Sequence, residues 1–204
     1  MQTSAQVGIV LGSASDWPGV EPAAALLKEW GVSFEVTVAS AHRAPRLVQA
    51  YGREAAARGL KVIIAVAGAA AHLAGVLAAE TILPVIGVPM PSSPLQGLDS
   101  LLSTVQMPAG VPVAAMALGS SGAQNAAIYA VQILALSNPR LQDILQRHKQ
   151  DLEQKVMLQR DKIRFVRTPP RGPEGPIAEH IARHGDGVRD LAFWVDDARD
   201  AYAK

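Results

Sequence analysis

Three short clusters of small and polar residues carry the types and spacing that chemistry requires. The first is Gly12-Ser13-Ala14-Ser15-Asp16. Glycine permits close backbone approach, and serine hydroxyls beside a helix start suit a phosphate. Asp16 is open to two readings, a helix N-cap or an acceptor of hydrogen bonds from ribose hydroxyls. The second is Ser40-Ala41-His42-Arg43-Ala44-Pro45. An arginine grips a phosphate or carboxylate bidentately, and a histidine exchanges protons near neutral pH. The bland alternative is a loop-capping histidine beside a solvated arginine. The third runs from Ala67 through Gly68, Ala69, Ala70 and Ala71 to His72 and Leu73. Its small residues leave room for a ligand, although His72 taken alone reads rather as a satisfied core histidine. The clusters gain meaning together, because each follows an apolar run.

Those runs define the elements that must position the clusters. Gln6 to Leu11, Ser33 to Ala39, Val62 to Ala67, Pro84 to Met90 and Val111 to Leu118 read as five strands. Helical stretches separate them, ending near Trp30, Arg58, Ile82, Thr104 and Ser137, and Pro139 to about Val156 reads as a final amphipathic helix. Continuously apolar strands alternating with helices imply a parallel sheet covered on both faces. The expected fold is a three-layer, Rossmann- or flavodoxin-like α/β domain with a five-stranded sheet. In such sheets ligands bind beyond the carboxyl ends of the strands, which is where all three clusters fall.

Composition narrows the function. The net charge is +1, against a general nucleic-acid or anionic-membrane binder. There are no cysteines and five histidines, none paired with a carboxylate at ligand spacing on one helix, so nothing points to a metal. No GxGxxG, Walker A or GxSxG pattern occurs, so neither a dinucleotide, ATP nor a serine nucleophile is indicated. The start of the chain lacks the pattern of a signal peptide, and a cytoplasmic protein is expected. Between Lys61 and Arg140 only Glu80 and Asp99 are charged. The uncharged run from Val62 to Ala79 is long enough to span a membrane, but Gly68, His72 and Gly75 divide it into strand, turn and helix. Uncharged helices on an α/β domain must pack under the C-terminal helix or meet other subunits, so a large homo-oligomer is expected.

Five segments resemble the PurE family. They are Gly-Ser-Ala-Ser-Asp-Trp at 12–17, Ser-Ala-His-Arg-Ala-Pro at 40–45, Ala-Gly-Ala-Ala-Ala-His-Leu at 67–73, Pro-Val-Ile-Gly-Val-Pro at 84–89, and Gly-Leu-Asp-Ser-Leu-Leu-Ser-Thr-Val-Gln-Met-Pro at 97–108. The match is collinear from about Gln6 to Val156. The resemblance implies an enzyme of purine biosynthesis that interconverts N5-carboxyaminoimidazole ribonucleotide and 4-carboxy-5-aminoimidazole ribonucleotide without ATP, biotin or metal. Leu98 to Pro108 looks like the bacterial mutase branch. The alternatives are direct carboxylation of aminoimidazole ribonucleotide with carbon dioxide and, from another class, a non-catalytic nucleotide-binding module. By resemblance, Ser13, Ser15, Ser40 and Arg43 hold the 5′-phosphate region and Asp16 the ribose hydroxyls. Gly12 and Ala41 join them as substrate-binding positions. His42 is the general acid/base. Ala67, Gly68, Ala69 and Ala70 border the carboxylate and carbon dioxide pocket, which His72 and Leu73 close. The family assembles as octamers.

Two departures stand out. The family has a second glycine where this chain has Ala69, and a proline where it has Ala74. A methyl at 69 crowds the site if its backbone needs positive φ, although tolerance is expected. From residue 159 onward the chain leaves the family pattern. The first 156 residues hold 20 charges and the last 48 hold 17, which marks a charge-dense tail. Residues 1–158 are expected to form the catalytic domain and 159–204 an appendage. The segment from His184 to Asp197 resembles part of the N-terminal domain of 4-hydroxyphenylpyruvate dioxygenases, too short a fragment to carry a metal or catalytic role.

Overall fold

The computed structural model describes residues 4–162 together with Glu179 and Arg183. The tail expected over 159–204, including the dioxygenase-like segment, lies almost wholly outside the described residues. The chain separates into units 1–145 and 146–204.

The strands form where the sequence is apolar and rich in β-branched residues: β1 (Val7–Leu11), β2 (Phe34–Val38), β3 (Val62–Gly68), β4 (Val85–Met90) and β5 (Ala114–Ala115). All pair in parallel in the order β2-β1-β3-β4-β5. That order is the flavodoxin-like winding. Side chains of β1 and β3 alternate between two cores, as a period of two requires. Val7, Ile9, Leu11, Val62, Ile64 and Val66 face one side with Val20, Leu27, Ala126 and Val131 from the helices there. Val10, Ile63 and Ala65 face the other, with Val48, Leu73 and Leu77. Burial on both faces explains why these strands read as unbroken apolar runs.

The helices are α1 (Trp17–Glu29), α2 (Pro45–Ala55), α3 (Leu73–Glu80), α4 (Leu98–Val105), α5 (Gly119–Ala135) and α6 (Pro139–Lys162). Helices α1 and α5 pack together on one face of the sheet, and α2 and α3 on the other. The uncharged character of α5 is explained in part within the subunit. Its alanines at 123, 126, 127 and 130 are fully buried, so the helix lies close against α1 and the sheet. The start of α6 adds Leu141, with Ile144 and Leu145, to the same core. Among the described residues no helix is long and apolar enough to cross a membrane, and the run from Val62 to Ala79 divides into β3 and α3.

The fifth strand departs from expectation. Val111 to Leu118 reads as a strand, yet only Ala114 and Ala115 pair, opposite Ile86 and Gly87. Pro112 brings no N–H to the ladder, and β5 is an edge with one neighbour. After Met116 donates to the Gly87 carbonyl at 2.9 Å, the chain turns into α5. That helix begins at Gly119 and takes in the segment 119–122 that reads as a loop. At Gly122 a Cβ would overlap the Ala117 carbonyl oxygen, so the turn from β5 into α5 requires glycine there.

Candidate active site

A cleft of about 380 Å³ opens at the carboxyl ends of the strands, within the size range of small-molecule sites. The turn after β1 supplies Gly12, Ser13, Ser15 and Asp16, and the loop after β2 supplies Ser40, Ala41, His42 and Arg43. The end of β3 and its turn supply Ala67, Gly68, Ala69 and Ala70, and α3 contributes Leu73. Of the expected site residues only His72 is not on the wall, and it touches the site through His42. Ser92, from the loop after β4, also lines the cleft and went unremarked in the sequence.

Local hydrogen bonds explain how each loop presents its groups. Gly12 donates to the Val66 carbonyl at 2.8 Å, and a Cβ on it would lie 3.3 Å from the Cβ of Ala67. The ends of β1 and β3 therefore meet closely because residue 12 is glycine. Ser13 Oγ accepts from the Ser15 N–H at 3.3 Å and from the Ser15 hydroxyl at 2.7 Å. These bonds fix the Ser13 and Ser15 hydroxyls together on the cleft wall. Arg43 ties two loops together: Nη2 donates to the Gly12 carbonyl at 3.1 Å and Nε to Ser40 Oγ at 3.3 Å. The Arg43 N–H also donates to Ser40 Oγ, at 3.3 Å.

Asp16 stands at the N-cap of α1 but makes no side-chain cap bond, so the capping reading does not hold. Ser13 caps the short 3₁₀ turn at Ala14–Asp16 instead. Asp16 is only 6% exposed. Burial raises its pKa above the ordinary aspartate value, with a backbone hydrogen bond at Ser13 pulling the other way. Desolvation penalises the charged form, and hydroxyl donors from a ligand would relieve that cost.

His42, on the cleft wall, meets His72. His42 Nε2 and His72 Nδ1 lie 2.9 Å apart, with ring planes inclined by 76°. One nitrogen must donate and the other accept, so a single proton links the two tautomers. His72 is exposed, which overturns its reading as a core histidine. Its turn is tight: Ala71 donates to the Ala69 carbonyl and His72 to the Ala70 carbonyl, both at 2.8 Å.

Ala69 adopts φ +50°, a left-handed conformation that an L side chain rarely takes. The condition for strain at this position is therefore met, and the cost sits on the cleft wall. Ala74 carries no such penalty and is buried in the α2–α3 core. Ala69→Gly should stabilise the fold by up to about 1 kcal/mol, the strain relieved less the entropy glycine adds to the unfolded chain. Calorimetry should show a melting temperature raised by roughly 2–4 °C. An unchanged or lower value would mean that the methyl contributes contacts worth its strain.

The cleft thus gathers a guanidinium, several hydroxyls, a buried carboxylate, an imidazole and a set of small residues. A family model described as AIR carboxylase matches residues 6–155. The N5-carboxyaminoimidazole ribonucleotide mutase of Pyrococcus horikoshii is 51% identical over 150 residues, which cover 74% of this chain and 84% of that protein. The protein of the same name from Pseudomonas aeruginosa is 51% identical, over 76% of this chain and 94% of its own length. The one from Mycobacterium tuberculosis is 58% identical, over 67% and 77%. Among solved structures, Treponema denticola PurE superposes with a TM-score of 0.70 at 27% identity, covering 78% of this chain and 98% of that one. With a family model spanning residues 6–155, relatives about half identical over most of their length and a matching solved fold, the chain belongs to the AIR carboxylase (PurE) family.

Proposed function

We propose that this chain is an isomerase of purine biosynthesis, converting N5-carboxyaminoimidazole ribonucleotide to 4-carboxy-5-aminoimidazole ribonucleotide. The observation that carries the reading is that one cleft gathers Ser13, Arg43, His42 and the small residues at the end of β3. Ser13, Ser15, Ser40 and Arg43 bind the 5′-phosphate, and Asp16 accepts hydrogen bonds from the ribose hydroxyls. Protonated His42 delivers its proton to the exocyclic nitrogen as the carbamate N–C bond breaks, giving carbon dioxide and aminoimidazole ribonucleotide. Ring carbon four then attacks the carbon dioxide, forming the new C–C bond. Neutral His42 removes the proton from that carbon, which restores the aromatic ring and the starting imidazolium. One histidine gives the first proton and takes the last, so atoms and charge balance without a cofactor. Ala67 to Ala70 and Leu73 hold the carbon dioxide near its acceptor, where proximity supplies much of the rate.

The active form is a homo-octamer, and it works in the cytoplasm, where the soluble intermediates of nucleotide synthesis are made. Assembly is supported by apolar surface left over after the subunit folds. Leu95, Leu98, Leu102 and Val105 on and beside α4 are each about half exposed or more, and Ile82 and Leu136 are almost bare.

The mutase reading is tested by offering each substrate separately. The carbamate alone should turn over, while aminoimidazole ribonucleotide with bicarbonate should give at least ~100-fold less product at equal nucleotide concentration, because captured rather than dissolved carbon dioxide is used. Efficient turnover of the second pair, and none of the first, would assign direct carboxylation instead.

A further inference from the structure

We propose that Ser92 is a further substrate-binding residue, whose hydroxyl donates to the carboxylate that the substrate carries. The inference rests on the mutase reading and deepens it. The register of β3 on β4 places Gly68 opposite Met90, so the chain beyond Met90 passes directly over the β3 turn. Ser92 crosses there. A Cβ on Gly68 would overlap Ser92 Oγ and would lie 3.1 Å from Ser92 Cβ and 3.2 Å from the Met90 carbonyl oxygen. Residue 68 is glycine because a hydroxyl occupies the space a side chain would need.

The surrounding loop is fixed, so this hydroxyl is held and does not merely pass by. Ser93 Oγ donates to Asp99 Oδ1 at 2.8 Å and accepts from the Leu95 N–H at 3.2 Å. The Ser100 N–H donates to the same carboxylate oxygen at 2.9 Å. Ser100 Oγ lies 2.9 Å from both the Met90 and Gly97 carbonyls. Ser103 and Thr104 donate to carbonyls of their own helix at 2.7 and 2.8 Å. Of the five hydroxyls between residues 92 and 104, four are spent on holding this loop and α4. Ser92 alone makes no hydrogen bond among the described residues and lines the cleft.

The chemistry of the substrate supplies what is missing. It carries two anionic groups, a phosphate and a carboxylate. The phosphate has Arg43 and the serines of the first two loops. Ala67 to Ala70 bring no polar side chain to the cleft, and the Ser92 hydroxyl lies against Gly68 among them. A hydroxyl donor suits this end better than a cation. It orients a carboxylate without holding it so tightly that carbon dioxide cannot leave, because a neutral donor stabilises the anion less than a charged one does.

The test is titration calorimetry of the full chain with two nucleotides, 4-carboxy-5-aminoimidazole ribonucleotide and aminoimidazole ribonucleotide, which lacks the carboxylate. Ser92→Ala should weaken the first by about tenfold and leave the second within about twofold, the discrimination of one hydrogen bond to a charged group. Ser92→Thr, which keeps the hydroxyl, should restore most of the difference. Equal losses for both nucleotides would show a loop that merely supports the cleft, and no loss for either would show a bystander; each overturns the proposal. Failure of the wild type to bind either nucleotide would remove the mutase reading, and the proposal with it.

Discussion

His42→Asn should lower kcat for the interconversion by at least ~10³-fold while nucleotide affinity stays within about fivefold. Asparagine retains the approximate size of imidazole and can still hydrogen-bond to His72 Nδ1, so the cleft keeps its shape. It cannot carry a proton from one site to another, and both half-reactions need that transfer. The loss should appear in kcat and kcat/KM together, as expected for a group used in the transition state. The same change at His72 should cost far less, because that ring is not on the cleft wall and meets it through His42. Binding is followed by calorimetry and turnover by nucleotide absorbance. If His42→Asn retained more than a tenth of the wild-type kcat, another group would have to move the proton. If wild type and variant were equally inactive and both bound nucleotide, the chain would be a binding module.

Much of this arrangement is visible in the sequence because of where burial falls. Strands β1, β3 and β4 are covered on both faces, so nearly every position is apolar and the runs are unmistakable. Their ends are marked by the glycine, serine and alanine clusters that follow. The edge strand β5 obeys different rules. Ala114 and Ala115 are only half-buried, and the longer apolar stretch around them serves the turn into α5 rather than a ladder. Apolar content alone cannot distinguish those uses.

The site shows the same division. Clusters contiguous in sequence were found, since each is one loop at one strand end. What was missed depends on contacts between loops. Ser92 sits in a Pro-Ser-Ser-Pro stretch that reads as a plain turn, and its partner Gly68 lies 24 positions earlier. Only the β3–β4 register brings them together. The pairing of His42 with His72 is likewise a fact of two loops, as is the tie from Arg43 to Gly12. The strain at Ala69 depends on its φ, which only the backbone shows.

The tie at Arg43 predicts the second large effect. Arg43→Ala should lower kcat/KM by roughly 10²-fold, chiefly through KM, the scale of one or two charge-assisted hydrogen bonds. Among the described residues, Arg43 is the one arginine or lysine lining the cleft and Asp16 the one carboxylate. Removing the cation leaves a doubly charged phosphate facing a buried acid, a like-charge contact that costs further affinity. The guanidinium also holds Ser40 and the Gly12 carbonyl in place, so the variant loosens two loops at once. Lysine should recover little, because one ammonium cannot hold both loops and still present a planar fork to phosphate. Measuring KM and kcat separately for Arg43→Ala and Arg43→Lys decides the matter. A KM within twofold of wild type in both would place the phosphate elsewhere. Full recovery by lysine would show that charge alone suffices and that the geometry joining the first two loops carries no affinity.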